Sequence, residues 1–325
     1  MNWAALFVAS VFLLFPAAQK AQADGLSDVQ QQFESGNYSA AMNVLRALVS
    51  QNPSNAQQHY WLGRCYYEVR DYTDAVSELE KATQLDPNSS MSHDWLGRAY
   101  GEVADQQRSF LLARRVKKEF EAAVQADPSN IPARRDLEEY LLDAPWIVGG
   151  SKDGALEQAN AIAKIDPVQG HLAKAEYEAS LGKPALAAEE YAAALSMKPK
   201  SIEPYLEIAN YYGRLGNGAE LTAMVEDARQ VSPKDPRLPF YSGVAHIISG
   251  TNFPLAEENL KSYLASSPDR SDWPSHSIAR FWLGQLYEKQ GNQMAAAEQY
   301  RDALGLDPTN REAKKALAQI EKSLH

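Results

Sequence analysis

The nine residues Trp61–Val69, WLGRCYYEV, return almost unchanged as WLGRAYGEV at Trp95–Val103, thirty-four residues further on. Self-similarity at that period marks a supersecondary unit too small to bury its own apolar side, so each copy needs a neighbour of the same kind. The stretch from Ala56 to Asn88 shows what the unit is. Leu62, Gly63 and Tyr66 recur at helical spacing, a turn follows, and Ala75, Leu79 and Ala82 mark the inner stripe of a second helix. Gly63 and Ala75 leave room for the two backbones to approach closely. Asp86-Pro87 ends the pair, because proline lacks the N–H and restricts the residue before it.

A third copy, FWLGQLYEKQGNQMAAAEQYRDALGLDP, runs from Phe281 to Pro308. Closing prolines at 53, 87, 128, 167, 199, 233, 268 and 308 are spaced 34, 41, 39, 32, 34, 35 and 40 residues apart. With its W-L-G, Y, A and P positions in this order, the chain resembles the tetratricopeptide repeat. The resemblance implies an all-α fold: a right-handed α-solenoid of about eight helix hairpins, each touching only its neighbours, ended by a solvating helix. The repeats fall at about 24–55, 56–89, 90–130, 131–167, 168–201, 202–235, 236–270 and 277–310, with the cap at 311–325. In the cap, Ala313, Leu317 and Ile320 form the inward stripe.

Residues 1–23 read as something other than fold. Trp3–Phe15 is almost entirely apolar, Pro16 breaks it, and Ala21-Gln22-Ala23 offers a small-residue cleavage site. The run is too short to span a bilayer, so the pattern predicts a secretory signal peptide and an exported protein, in the periplasm or outside the cell. No Lys or Arg precedes the apolar run, so the amino terminus alone supplies its positive charge. No other segment is apolar enough to cross a membrane, which predicts no membrane insertion after cleavage. The formal charge of −10 argues against a nucleic-acid partner, which needs clustered cations. Cys65 is the only cysteine, so neither an intrachain disulfide nor a Cys-based metal site is available.

Two repeats depart from the pattern. In repeat three, ADQQRSFLLARRVKKEF adds about two turns, rich in Arg and Lys, that extend both helices. In repeat four, helices expected at about Ala133–Leu142 and Gly154–Ile165 are separated by a loop at 144–153. Pro145 stops the first helix, and Ser151 or Asp153 caps the second. Trp146, Ile147 and Val148 are too apolar for an idle connection, and loops this long inside compact units are often functional. Trp146, Gly149, Gly150 and Lys152 therefore form a candidate second surface, either an anion nest before a helix or a bridge between offset helices.

No catalytic pattern is present: there is no phosphate-binding loop, nucleophile elbow, H-E-x-x-H or C-x-x-C. No cofactor, metal site or catalytic residue is predicted. His59 and His93 occupy equivalent positions of adjacent repeats and either pack on the partner helix or share a metal. The paired carboxylates, Glu138-Glu139 among them, read as solvated.

Function then falls to a surface. By its resemblance, the chain should bind through the first helices of successive repeats, which line a concave groove. The matching positions are Tyr60, Trp61, Arg64 and Tyr67 in repeat two, Asp94, Trp95, Arg98 and Gly101 in repeat three, and Trp282 in repeat eight. Trp61/Arg64 and Trp95/Arg98 sit at i, i+3, so ring and guanidinium share a face. With Arg134 and Arg135 they predict a basic, aromatic patch suited to a protein or peptide partner with an acidic or C-terminal segment. The alternative is that each Trp packs across the seam and each Arg pairs with an acid. The five positions of the family's carboxylate clamp hold Leu26, Gln30, Trp61, Met91 and Trp95, which do not match it. The expectation is a non-enzymatic exported scaffold or adaptor. The alternative is an accessory of a cell-envelope enzyme of polysaccharide or peptidoglycan processing, touching ligand through the 144–153 loop.

Overall fold

The computed structural model describes residues 25–323, all helical apart from turns and short connections. The segment read as a signal peptide, with its expected cleavage site, lies outside the described residues. Two compact units divide the chain, the first ending at Pro184 and the second beginning at Ala185.

The first unit opens with α1 (residues 25–34) and continues with α2 (Tyr38–Gln51), α3 (Ala56–Glu68) and α4 (Tyr72–Leu85). After these come α5 (Ser90–Gln107), α6 (Phe110–Ala126), α7 (Ile131–Asp143), α8 (Lys152–Ile165) and α9 (Pro167–Ser180). Each helix packs on the next, and α3 also touches α5, α5 touches α7, and α7 touches α9. The first helices of successive hairpins therefore form one shared layer. Side chains of Asn55, Asp71, Ser89, Ser109 and Asn130 cap the helices that follow them. Each accepts a hydrogen bond from an otherwise unpaired first-turn N–H.

Close backbone approach sets the hairpin geometry. A Cβ on Gly63 would lie 2.6 Å from Leu79, and one on Gly97 would lie 2.5 Å from the Phe120 ring. The small residue is thus the socket for a large side chain on the second helix, and Leu79 and Phe120 are buried there. Burying an aliphatic side chain of this size contributes roughly 1.5–3 kcal/mol. The α5–α6 pair is longest, at 18 and 17 residues against 13 and 14 for α3 and α4.

Repeat four differs in detail from its sequence reading. Both helices are longer than expected, and the connection contains a 3-10 turn, Trp146–Val148. Ser151 is the cap of α8. Glu138, read as solvated, is buried, 1 % exposed. It stands eight residues after its cap, the register that holds Gly63 and Gly97 in the two preceding repeats.

The second unit comprises α10 (Pro184–Ser196), α11 (Glu203–Arg214), α12 (Gly218–Val231), α13 (Leu238–Ser249) and α14 (Phe253–Ser266). It ends with α15 (His276–Lys289), α16 (Gln293–Leu306) and α17 (Arg311–Ser323). From α11 onward each helix packs on the next, and α11 touches α13 as α13 touches α15. Tyr191 of α10 places its ring 4.8 Å from that of Tyr211 on α11. The final helix buries Ala313, Ala316 and Ile320 against Ala296, Ala297 and Tyr300. Both units are stacks of helix hairpins, the all-α solenoid class.

Candidate functional site

The first-helix layer of the N-terminal unit carries a dense aromatic cluster. Phe33 of α1 lies 5.4 Å from Trp61, Trp61 lies 5.5 Å from Tyr60, and Tyr67 lies 5.3 Å from Trp95, all edge to face. Edge-to-face pairs set the positive rim of one ring against the negative face of the next. Trp61, Tyr67 and Trp95 remain partly exposed, while Tyr60 is buried at 6 %. Burial pushes the Tyr60 and Tyr67 phenols up; beside Tyr67, Glu102 pushes in the same direction and accepts its hydroxyl at 3.2 Å.

Arg64 sits inside this cluster. Its guanidinium carbon is 4.3 Å from the Trp95 ring centre, 4.4 Å from Phe33, 4.8 Å from Trp61 and 5.6 Å from Tyr60. Among the described residues its one hydrogen bond is donated by Nη1 to the Tyr60 hydroxyl at 3.3 Å, and Nε is buried without an acceptor. No carboxylate pairs with it among the described residues. A partly buried cation is therefore held by ring faces and one phenol hydroxyl.

Of the remaining arginines of the expected basic patch, Arg98 and Arg135 are paired with acids within the protein and Arg134 is held by neutral acceptors. Arg98 pairs through Nε with Asp136 of α7 and, at 3.5 Å, with Asp94 of its own helix. Arg135 pairs with Glu176 at 2.8 Å and Glu138 at 3.4 Å. Arg134 donates to the Pro128 carbonyl at 2.8 Å and to Gln158 at 2.7 Å. The patch is thus aromatic rather than broadly basic, and among the described residues Arg64 is the cation that its rings surround without an acid. Asp94 is buried, and burial with the neighbouring Asp136 carboxylate holds its proton far above the usual carboxylate range.

Arg134 occupies the register of His59 and His93, each four residues after its cap, and all three do the same work. His93 bridges the Pro87 carbonyl at 3.1 Å and Glu119 at 2.7 Å, and His59 bridges Pro53 at 2.9 Å and Glu78. The two histidines are clasps between the helices of one hairpin. No group of three or more metal-binding side chains occurs among the described residues. Cys65 is fully buried, and burial pushes its thiol up to about 12, so it is not a nucleophile.

At the second candidate surface most polar groups are used internally. Gly149 adopts φ +105°, a left-handed turn, and a Cβ on Gly150 would lie 1.7 Å from the Ala144 oxygen. The N–H groups of Gly149, Gly150 and Ser151 donate to Trp146, Pro145 and Leu141 carbonyls. Lys152 Nζ donates to the Leu142 carbonyl at 2.8 Å and to Ser180 at 3.2 Å. An anion nest needs those N–H groups free, so the loop bridges offset helices instead. Trp146 alone stands in solvent, 84 % exposed, with Ile147 half-exposed beside it.

Trp282 lies on α15 of the second unit, partly exposed, 5.6 Å from the Phe281 ring. Phe33, Asp136 and Glu176 complete the first unit's cluster without having been marked by the repeat pattern. Asp136 takes the register of Trp61 and Trp95, six residues after the cap, and that break in the pattern is its only signal.

Residues 32–95 and residues 248–311 each match a family model described as tetratricopeptide repeat. No curated protein matches the sequence. Among solved structures, the chain is similar to one described as the APC/C hetero-tetramer Cut9-Hcn1, with 13 % identity and a TM-score of 0.50. That match covers 91 % of this chain and 55 % of the other, so the chain spans little more than half that length. A tetratricopeptide repeat protein from Parabacteroides merdae gives 14 % identity and a TM-score of 0.49, covering 82 % of this chain and 98 % of that one. MamA gives 18 % identity and a TM-score of 0.41, covering 52 % of this chain and 92 % of that one. At such identities the likeness concerns the fold. The helix hairpins, their glycine sockets and the two matched stretches lead to one conclusion: the chain carries tetratricopeptide repeats.

Proposed function

We propose that the protein is a non-enzymatic scaffold that holds a partner polypeptide on the first-helix layer of its N-terminal unit, with Arg64 receiving a carboxylate of that partner. The observation that carries this reading is the Arg64 cation, partly buried among Trp61, Trp95 and Phe33 and unmatched by any described acid. Aromatic side chains and arginine dominate the energetics of protein interfaces, and a carboxylate meeting a partly desolvated guanidinium is bound strongly. Arg98 and Arg135 serve to fix the platform, since their charge is already balanced.

Export to the periplasm or beyond belongs to the same proposal and rests on Trp3–Ala23 of the sequence. The protein recovered from its host should begin at Asp24; a chain retaining Met1 would remove this part. The reading as an envelope-enzyme accessory would need a ligand against Trp146, a side chain that stands in solvent, 84 % exposed.

The test is affinity capture with two variants. Arg64→Glu should lose the partner that wild type retains, while Trp146→Ala should keep it. Equal recovery by wild type and Arg64→Glu would exclude the site.

A further inference from the structure

The α5–α6 hairpin carries a surface unlike the rest of the chain. Residues 106–118 contain five cations, Arg108, Arg114, Arg115, Lys117 and Lys118, and no acid, in a protein of formal charge −10. Arg115 pairs with Glu80 at 2.8 Å and Lys117 with Glu121 at 3.6 Å. Arg108, Arg114 and Lys118 are exposed and make no ion pair among the described residues.

Large apolar side chains stand beside these cations. Phe110 and Leu111, 67 % and 73 % exposed, lie in the first turn of α6. That turn belongs to the extra length of this hairpin. Helical spacing puts Leu111, Arg114, Arg115 and Lys118 on one outward stripe. The 3-10 turn adjoins the same stripe, since Arg114 Nη2 donates to the Ile147 carbonyl at 3.2 Å. The turn is tied to α6 through the Tyr140 hydroxyl, whose single proton is shared between the Ala113 carbonyl at 2.6 Å and the Val148 carbonyl at 2.9 Å. Val148 is buried while Trp146 and Ile147 face out.

We propose that this patch docks the protein peripherally on an anionic lipid bilayer, with Phe110, Leu111, Trp146 and Ile147 entering the headgroup–acyl boundary and Arg108, Arg114 and Lys118 meeting lipid phosphates. Aromatic and aliphatic side chains beside Arg and Lys are the composition of interfacial membrane contacts. Local positive charge in an acidic protein supplies the complementarity and fixes which face approaches the membrane. Single side chains exposed to this degree suit a fluid apolar medium rather than the fitted surface of a folded partner. The inference is independent of the Arg64 platform.

A position-specific probe tests it in the full chain. In a Cys65→Ala background, Leu111→Cys carries an environment-sensitive dye, and Leu306→Cys on α16, 43 % exposed in the parent, serves as the control. Vesicles contain phosphatidylglycerol and phosphatidylcholine in equal parts, or phosphatidylcholine alone. The dye at 111 should shift to the blue on the anionic vesicles only, lose the shift in high salt, and leave the dye at 306 unchanged. Membrane contact through Trp3–Phe15 alone would not move the dye at 111. Arg114→Glu with Lys118→Glu should weaken the response by at least ~10-fold, given about 1 kcal/mol per cation near such a surface. Trp146→Ser should weaken it as well, with an unchanged far-ultraviolet spectrum. No shift at 111, an equal shift on neutral vesicles, or a shift produced by poly-glutamate instead of vesicles would overturn the proposal; the last would assign the patch to acidic polypeptides.

Discussion

The guanidinium carbon of Arg64 on α3 lies 4.3 Å from the centre of the Trp95 ring on α5, so one cation spans the seam between two repeats. Trp95 is contacted again by Arg98 of its own helix at 4.8 Å. The two arginines differ in their other neighbours. Arg98 is bound by two aspartates, whereas Arg64 has only rings and one phenol hydroxyl. The same residue pair, Trp followed three positions later by Arg, thus gives a brace in one repeat and a cation without an acid in the other.

Arg64 should matter little for stability. Arg64→Ala is expected to cost about 1–2 kcal/mol, the scale of its ring contacts in a partly buried site. Arg98→Ala should cost more, because it leaves Asp94 and Asp136 facing each other without a cation. Denaturant melts of the two variants check the order, and a larger loss for Arg64→Ala would contradict it.

The two glycines of α5 should respond in opposite directions. Gly97→Ala forces a methyl to within 2.5 Å of the Phe120 ring and should destabilise by about 1–3 kcal/mol. Gly101, one turn on, has open space around it and should gain up to about 1 kcal/mol as alanine, because the helix loses less backbone entropy. The midpoint of urea unfolding measures both.

The contribution of Asp94 to stability should fall as pH rises from acid toward neutrality. Burial and Asp136 raise the Asp94 pKa in the folded state, so that state binds the proton more tightly than the unfolded chain. The associated stability is full below the ordinary carboxylate pKa and is lost as pH climbs toward the raised one. His93 acts with the same sign in a later window, because its hydrogen bond to Glu119 raises its pKa above the ordinary imidazole value. Asp94→Asn should flatten the acid-side slope and leave the His93 part intact, as read from melts across pH.

A buried serine should be costly to remove. Ser277 Oγ donates to the Ala303 carbonyl at 2.9 Å and accepts from Asn310 Nδ2 at 2.9 Å. Ser277→Ala leaves the Asn310 amide without this acceptor, while the Ala303 carbonyl keeps the Asp307 N–H, and should destabilise by about 1–3 kcal/mol. A calorimetric change well below that range would show that water replaces the hydroxyl.

Much of this architecture is legible along the chain, because hairpin geometry is local. The WLG triplets, the caps and the closing prolines act within a few residues, and they announce the helices and the glycine sockets. Partners across repeats are another matter. Arg98 meets Asp136 and Arg135 meets Glu176, pairs separated by 38 and 41 residues, and repeat insertions shift the register between them. Glu138 in the glycine register and Asp136 in the tryptophan register are departures from the pattern, and a repeat motif is silent about what its exceptions do. The loop at 144–153 shows the same limit: its composition announces exposed apolar residues, while the Tyr140 bond that orients them depends on the packed hairpin.

Ser90 repeats the Ser277 arrangement, donating to the Ala123 carbonyl at 2.7 Å and accepting from Asn130 at 2.8 Å. Each serine rivets three helices at once: its own, the end of the one that follows, and the start of the one after that. A chain of nearest-neighbour units melts first where its junctions are weakest. These two junctions should therefore act as stops, so that fraying begun at an unriveted seam halts on reaching α5–α7 or α15–α17.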